Sequence, residues 1–100
     1  MFNQKAILEF IRGNKRICNM LTWEANEVKP RAWGPNLAIS HILDNPKRRE
    51  KVEKELEKFS RSNGYGQTTL EGVGPGNPYF DGLAAAICDF RTEWELGNHA

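Results

Sequence analysis

Two cysteines, Cys18 and Cys88, and two histidines, His41 and His99, are the side chains best suited to nucleophilic, metal-binding or proton-transfer chemistry in this 100-residue chain. Their spacing supports none of these. A zinc site needs several sulfur or nitrogen ligands at short, regular intervals, and the chain has no Cys-x-x-Cys and no neighbouring His pair. A cysteine nucleophile would need His41 beside Cys18 or Cys88, and nothing in the sequence brings them together. His41 stands alone in a short apolar segment and reads as a boundary residue, and His99 falls in a tail expected to fray. Gly72-Val73-Gly74-Pro75-Gly76 has the composition of a phosphate loop but lacks the Lys-Ser/Thr that must follow, so a turn is expected. Carboxylates are plentiful, but an acid–base pair requires shifted pKa values in a pocket. The expectation is a protein that is not an enzyme and holds no metal or cofactor.

Binding chemistry is better represented. The run Lys47-Arg48-Arg49-Glu50-Lys51 opens a helix that follows a short helix and a tight turn. That is the outline of a helix-turn-helix, whose second helix enters the major groove through its N-terminal residues. Against this, Glu50, Glu53, Glu55 and Glu57 on the same helix would repel phosphates, and the small polar residues that read bases are missing from its first turns. The competing reading is a solvated, salt-bridged surface helix. Three aromatics, Trp33, Tyr65 and Tyr79, lie in Gly/Pro-rich segments beside Arg31, Arg61 and Asn77. Aromatics and arginines on rigid loops anchor protein interfaces and also stack bases of single strands, although each ring also suits the edge of a thin core. Trp33, Arg48, Arg49, Lys51, Tyr65 and Tyr79 are the expected partner contacts. Trp23 and Trp94 are assigned to the core.

The rest of the chain must position these groups. Leu, Ile, Val and Phe total 22 residues, enough for one core at a net charge of +1. Charge is unevenly distributed: residues 46–61 hold seven basic and four acidic side chains, and residues 62–100 hold one basic and five acidic. Such polarisation can steer a partner, or the two regions can neutralise each other side by side. Both cysteines sit among apolar residues and are expected to be buried free thiols. No apolar run has signal-peptide or transmembrane length, so the expected location is cytoplasmic with no membrane partner.

An all-α fold is expected, or a mainly α fold with a short β-hairpin or irregular loop at 63–78, as one compact domain of four to five helices over 1–100. Asn3 is a plausible cap for a first helix over 3–12, and Asn14 for a second over 14–28, with Ile17, Cys18, Leu21, Ala25 and Val28 on its apolar side. Asn36 is expected to cap a short helix carrying Leu37, Ala38, Ile39, Ile42 and Leu43. Asn45 and Pro46 have the types preferred at a helix cap and first position, and open the clearest helix, which runs to about Ser62. Its apolar stripe, Val52, Leu56 and Phe59, is narrow. A last helix starts near Pro78 and ends by Gly97, with Leu83, Ala84, Ile87, Phe90 and Trp94 on one face.

The charge-dense helix Pro46–Arg61 beside an aromatic-decorated Gly/Pro loop, Tyr65–Tyr79, in a small helical chain resembles the small phage-encoded anti-CRISPR inhibitors of type I surveillance complexes. The resemblance is one of general character and carries no residue roles with it. It implies a non-enzymatic protein that binds a host ribonucleoprotein and blocks its recognition of target DNA. Many inhibitors that mimic DNA are strongly acidic and this chain is not, so contact with protein subunits suits it better. The alternative is a helix-turn-helix-like nucleic-acid binder using residues 36–61.

Overall fold

Three asparagines set the starts of three helices in the computed structural model, which describes residues 4–27, 34–63 and 69–98. Helix α1 (Gln4–Gly13) ends where Asn14 begins α2 (Lys15–Glu27). The Asn14 Oδ1 accepts the Ile17 N–H at 3.0 Å, and its carbonyl accepts Cys18 N–H at 2.9 Å. Side-chain acceptance of an otherwise orphaned N–H is what makes asparagine a good N-cap. Helix α3 (Pro35–Leu43) is followed by the Asp44-Asn45 turn and by α4 (Pro46–Asn63). Asn45 Oδ1 accepts from Lys47 N at 3.1 Å and Arg48 N at 3.3 Å. Asn77 does the same for Tyr79 and Phe80 at the head of α5 (Pro78–Asn98).

The cap expected at Asn36 is not formed. Gly34 holds the cap position with no side-chain bond, and Pro35 occupies the first turn. Proline's fixed φ starts the helix without a capping side chain. Asn3 and Val28 lie outside the described residues.

Helix α5 is the centre of the fold and packs on α1, α2 and α3. Tyr79, Phe80, Leu83, Ala84, Ala86 and Ile87 are buried along it. Gly82 allows α1 to come close: a Cβ there would stand 3.1 Å from both Ile11 Cδ1 and Ile7 Cγ2. On α4, Val52, Leu56 and Phe59 are buried as the spacing predicts. One contiguous core results, joined by Ile17, Leu21, Ile39, Ile42 and Leu70.

The fold is all-α, with five helices and no strand among the described residues. Over 69–77 turns stand in place of the hairpin alternative, and residues 64–68 of that segment lie outside the described residues. Gly72 and Gly76 carry φ of 77° and 99°, which favours glycine and breaks up any extended run. No helix among the described residues is long and apolar enough to cross a membrane.

Two carboxylates enter the core. Glu55 is 7% exposed and is held by Asn14 Nδ2 at 3.0 Å and Arg16 at 3.2 Å, with Lys58 Nζ at 3.5 Å. These partners hold its carboxyl below the ordinary glutamate value, the Asn14 hydrogen bond most of all, against the opposing effect of burial. Glu24 is fully buried and pairs with Arg91, which joins α2 to α5. Its Oε2 has no hydrogen-bond partner among the described residues.

Neither cysteine is in a disulfide, but the expectation that both are buried needs correction. Cys88 is exposed, and Cys18 is half-buried with its thiol donating to the Ile11 and Arg12 carbonyls. Cys88 directly follows Ile87, which faces the core, so it turns out of the stripe.

Candidate macromolecular interface

Three helices converge at the Asp44-Asn45 turn and present one aromatic and basic surface cluster. Helix α2 supplies Trp23, α3 supplies His41, and the first turn of α4 supplies Lys47 and Arg48. The turn is rigidly tied. Asp44 N–H donates to Ser40 O at 2.9 Å, Asn45 N–H to Ile42 O at 3.2 Å, and Arg49 N–H to Asn45 O at 2.9 Å. The start of α4, and with it the direction of Arg48, is fixed by these bonds together with the Asn45 cap.

Within the cluster, the Trp23 and His41 rings are nearly parallel, 6° apart, with centroids separated by 5.9 Å. The guanidinium carbon of Arg48 lies 3.6 Å from the Trp23 ring centroid. A cation over an indole face is attracted by the ring quadrupole, and more strongly where water is partly excluded. Trp23 and Arg48 are half-buried, and His41 is exposed. A groove of about 650 Å³ runs past Trp23 and His41, lined by these two with Asp44, Asn45, Pro46 and Lys47, and Arg48 adjoins it through the Trp23 ring. One helical turn before His41, Leu37 is 59% exposed and extends the apolar surface of α3.

The six expected contact residues fare differently. Arg48 is in the cluster, and Lys51 is exposed one turn further along α4. Arg49 serves the fold: its guanidinium donates to Leu43 O at 3.3 Å, and its Nε lies 3.9 Å from Glu53. It thereby satisfies a carbonyl at the end of α3. Tyr79 is 1% exposed and shares a 2.6 Å hydrogen bond with Ser60, so it is a core residue of α5 and not a surface anchor. Trp33 and Tyr65 lie outside the described residues.

Sequence reasoning missed Trp23, His41 and Lys47 as parts of a site. The signal was present for Trp23. At about 100° per residue it stands about 200° around α2 from Leu21, so its ring is only half-buried, packed against the margin of the core while also lining the groove. By the same arithmetic Glu24 falls on the Leu21 side, where it is buried. The side chain of Trp94 lies outside the described residues.

A second cavity, of about 520 Å³, is lined by Arg12, Cys18, Leu21, Ala86, Asp89, Phe90 and Thr92. Arg12 and Asp89 are ion-paired there. Cys18 lines this cavity and His41 the other, so the two do not share a pocket. Among the described residues no three of His, Cys, Asp and Glu converge as metal ligands would. No protein-family model matches this chain, and no curated protein or solved structure matches it either.

Proposed function

We propose that this chain is a non-enzymatic interaction protein that docks through the Trp23–His41–Arg48 cluster. Its general character fits a phage-type inhibitor that binds a CRISPR ribonucleoprotein in the host cytoplasm and blocks target DNA recognition. The observation that carries the docking reading is Arg48 held over Trp23. Trp and Arg are the residues most enriched among the few that dominate binding energy, and a fixed, half-buried pair loses little freedom when a partner covers it.

A second reading, a helix-turn-helix-like nucleic-acid binder, draws on a specific observation. Glu53 and Glu55, two of the carboxylates that would repel phosphates, are turned to internal partners. Glu53 accepts the Leu70 N–H at 2.7 Å and the Thr69 hydroxyl at 3.1 Å, and Glu55 is held as described above. The head of α4 is therefore more basic than its composition reads. Against it, Arg49 is engaged with Leu43 and Glu53, and Asp44 lines the groove.

Mixing the purified chain with a type I surveillance complex and its target DNA tests the first reading. The expected result is co-elution with the complex and loss of target binding. Failure to co-elute, together with a mobility shift of naked DNA that weakens steeply with salt, would favour the second, because neutralised phosphates release counterions.

A further inference from the structure

We propose that the groove beside Trp23 receives a protein segment that carries a carboxylate next to an apolar side chain, with Arg48 taking the carboxylate. This inference rests on the docking reading above and adds the chemistry of the partner.

Arginine pairing is the decisive observation. Arg12 pairs with Asp89, Arg16 with Glu55, Arg49 with Glu53, Arg61 with Glu57, and Arg91 with Glu24. Arg48 is the one arginine among the described residues with no carboxylate partner. Its side chain makes no hydrogen bond to any described residue, and its one specific contact is the Trp23 ring. A guanidinium presents five N–H donors in a planar fork that fits a carboxylate with two parallel bonds. Stacking on Trp23 holds the fork in place, and half-burial makes an incoming counter-ion worth more than it would be in open water.

The surroundings favour a protein carboxylate over a nucleic-acid backbone. A phosphate chain needs several cations in series. Along α4 that series is interrupted, because Arg49 is internally bonded and Glu50 is exposed. Lys47 lines the groove and adds positive charge there, and Arg48 is joined to it through the Trp23 ring that it covers. The Trp23 and His41 rings, Pro46 and the exposed Leu37 provide apolar surface for a neighbouring side chain of the segment. One acidic group beside an apolar one is the complement of this surface.

The test is selection of a random dodecapeptide library on the immobilised full chain and on R48E, followed by titration of a synthetic peptide from the selected class. The expected outcome is enrichment of Asp or Glu adjacent to Leu, Ile, Phe or Met on the wild-type chain. On R48E the enrichment should reverse to Lys or Arg. The synthetic peptide should bind R48A and W23A about tenfold or more weakly, as expected for loss of an anchor, with R48A keeping wild-type helicity and Tm and W23A, which also loses core contacts, keeping wild-type helicity at the assay temperature with a lowered Tm. Absence of selected peptides, or acidic enrichment that persists on R48E, overturns the carboxylate assignment. An oligothymidylate titration separates the failures. Arg48-dependent binding of oligothymidylate without acidic selection overturns the carboxylate assignment in favour of nucleic acid. Loss of complex binding in W23A without acidic selection overturns the carboxylate assignment alone and leaves the docking surface standing.

Discussion

Asn14 links two helices with one side chain: its Oδ1 caps α2 through the Ile17 N–H, and its Nδ2 donates to Glu55 on α4, both at 3.0 Å. A single amide thus fixes the start of one helix and satisfies a carboxylate carried by another. Asn14 stands at the junction of α1 and α2, so this link also sets where Trp23 emerges about two and a half turns later.

Replacing Asn14 with alanine removes both bonds. A lost N-cap costs about 1 kcal/mol, and a lost hydrogen bond to a charged group about 1.5–3 kcal/mol. N14A is expected to destabilise by about 2.5–4 kcal/mol in urea denaturation. In an E55Q background the cost should fall toward that of the cap alone. An equal cost in both backgrounds contradicts the link.

The same group predicts a pH dependence. The Glu55 carboxyl is held below its ordinary value, chiefly by the Asn14 hydrogen bond and then by Lys58 and Arg16. A carboxyl with a depressed folded-state pKa binds protons more readily when unfolded, so its contribution is complete above the ordinary value of about 4.5. That contribution is lost as the pH falls below 4.5 and through the folded-state value. Denaturation from pH 6 to pH 3 should show E55Q with a shallower loss of stability than wild type below that point. Parallel curves contradict the assignment.

The Glu24–Arg91 pair predicts an asymmetry. Removing one member of a buried pair leaves a charge without its partner and costs about 3–5 kcal/mol, whereas replacing both by apolar residues is often tolerated. Because Arg91 keeps 19% side-chain exposure, R91A is expected near the lower end, about 3 kcal/mol. E24L/R91M should recover most of it, as read by chemical denaturation. A double variant less stable than R91A contradicts the account.

Much of the helical framework is legible in the sequence, because capping chemistry is local. Asn14 and Asn45 mark boundaries through bonds to residues two to four positions away, Pro46 does so through its fixed φ, and α4 begins and ends within one residue of where the pattern puts it. The buried carboxylates are not legible in this way. Glu55 meets Asn14 across 41 positions and Glu24 meets Arg91 across 67, so their burial depends on tertiary partners that no helical period reveals. The site was half legible. The basic run pointed to Arg48, but Arg49 is drawn inward by the free carbonyl of Leu43. Tyr79 is buried because its ring closes the core against Ser60. Helical phase assigns Trp23 to the core; it does pack against the core, but only half-buried, and its ring also lines the groove.

Gly82 predicts a packing conflict with a specified rescue. Alanine there gains about 1 kcal/mol of helix propensity but must displace Ile7 and Ile11, both fully buried, from 3.1 Å. Overpacking of this kind costs about 1–3 kcal/mol, so G82A should destabilise by about 1 kcal/mol in net terms. I11V removes the Cδ1 in conflict, and G82A/I11V should be less destabilised than the sum of the two singles. Strict additivity contradicts the close approach of α1 and α5.

The docking claim is tested most directly by the affinity of a type I surveillance complex for R48A and R61A, measured beside their Tm values. Arg48 lies on Trp23, whereas Arg61, on the same helix, is exposed and pairs with Glu57 at 2.5 Å. R48A is predicted to lose about 2 kcal/mol of binding, roughly thirtyfold, with R61A near wild type and both Tm values little changed. Equal affinities for R48A and the wild-type chain, or equal losses in the two variants, would contradict it.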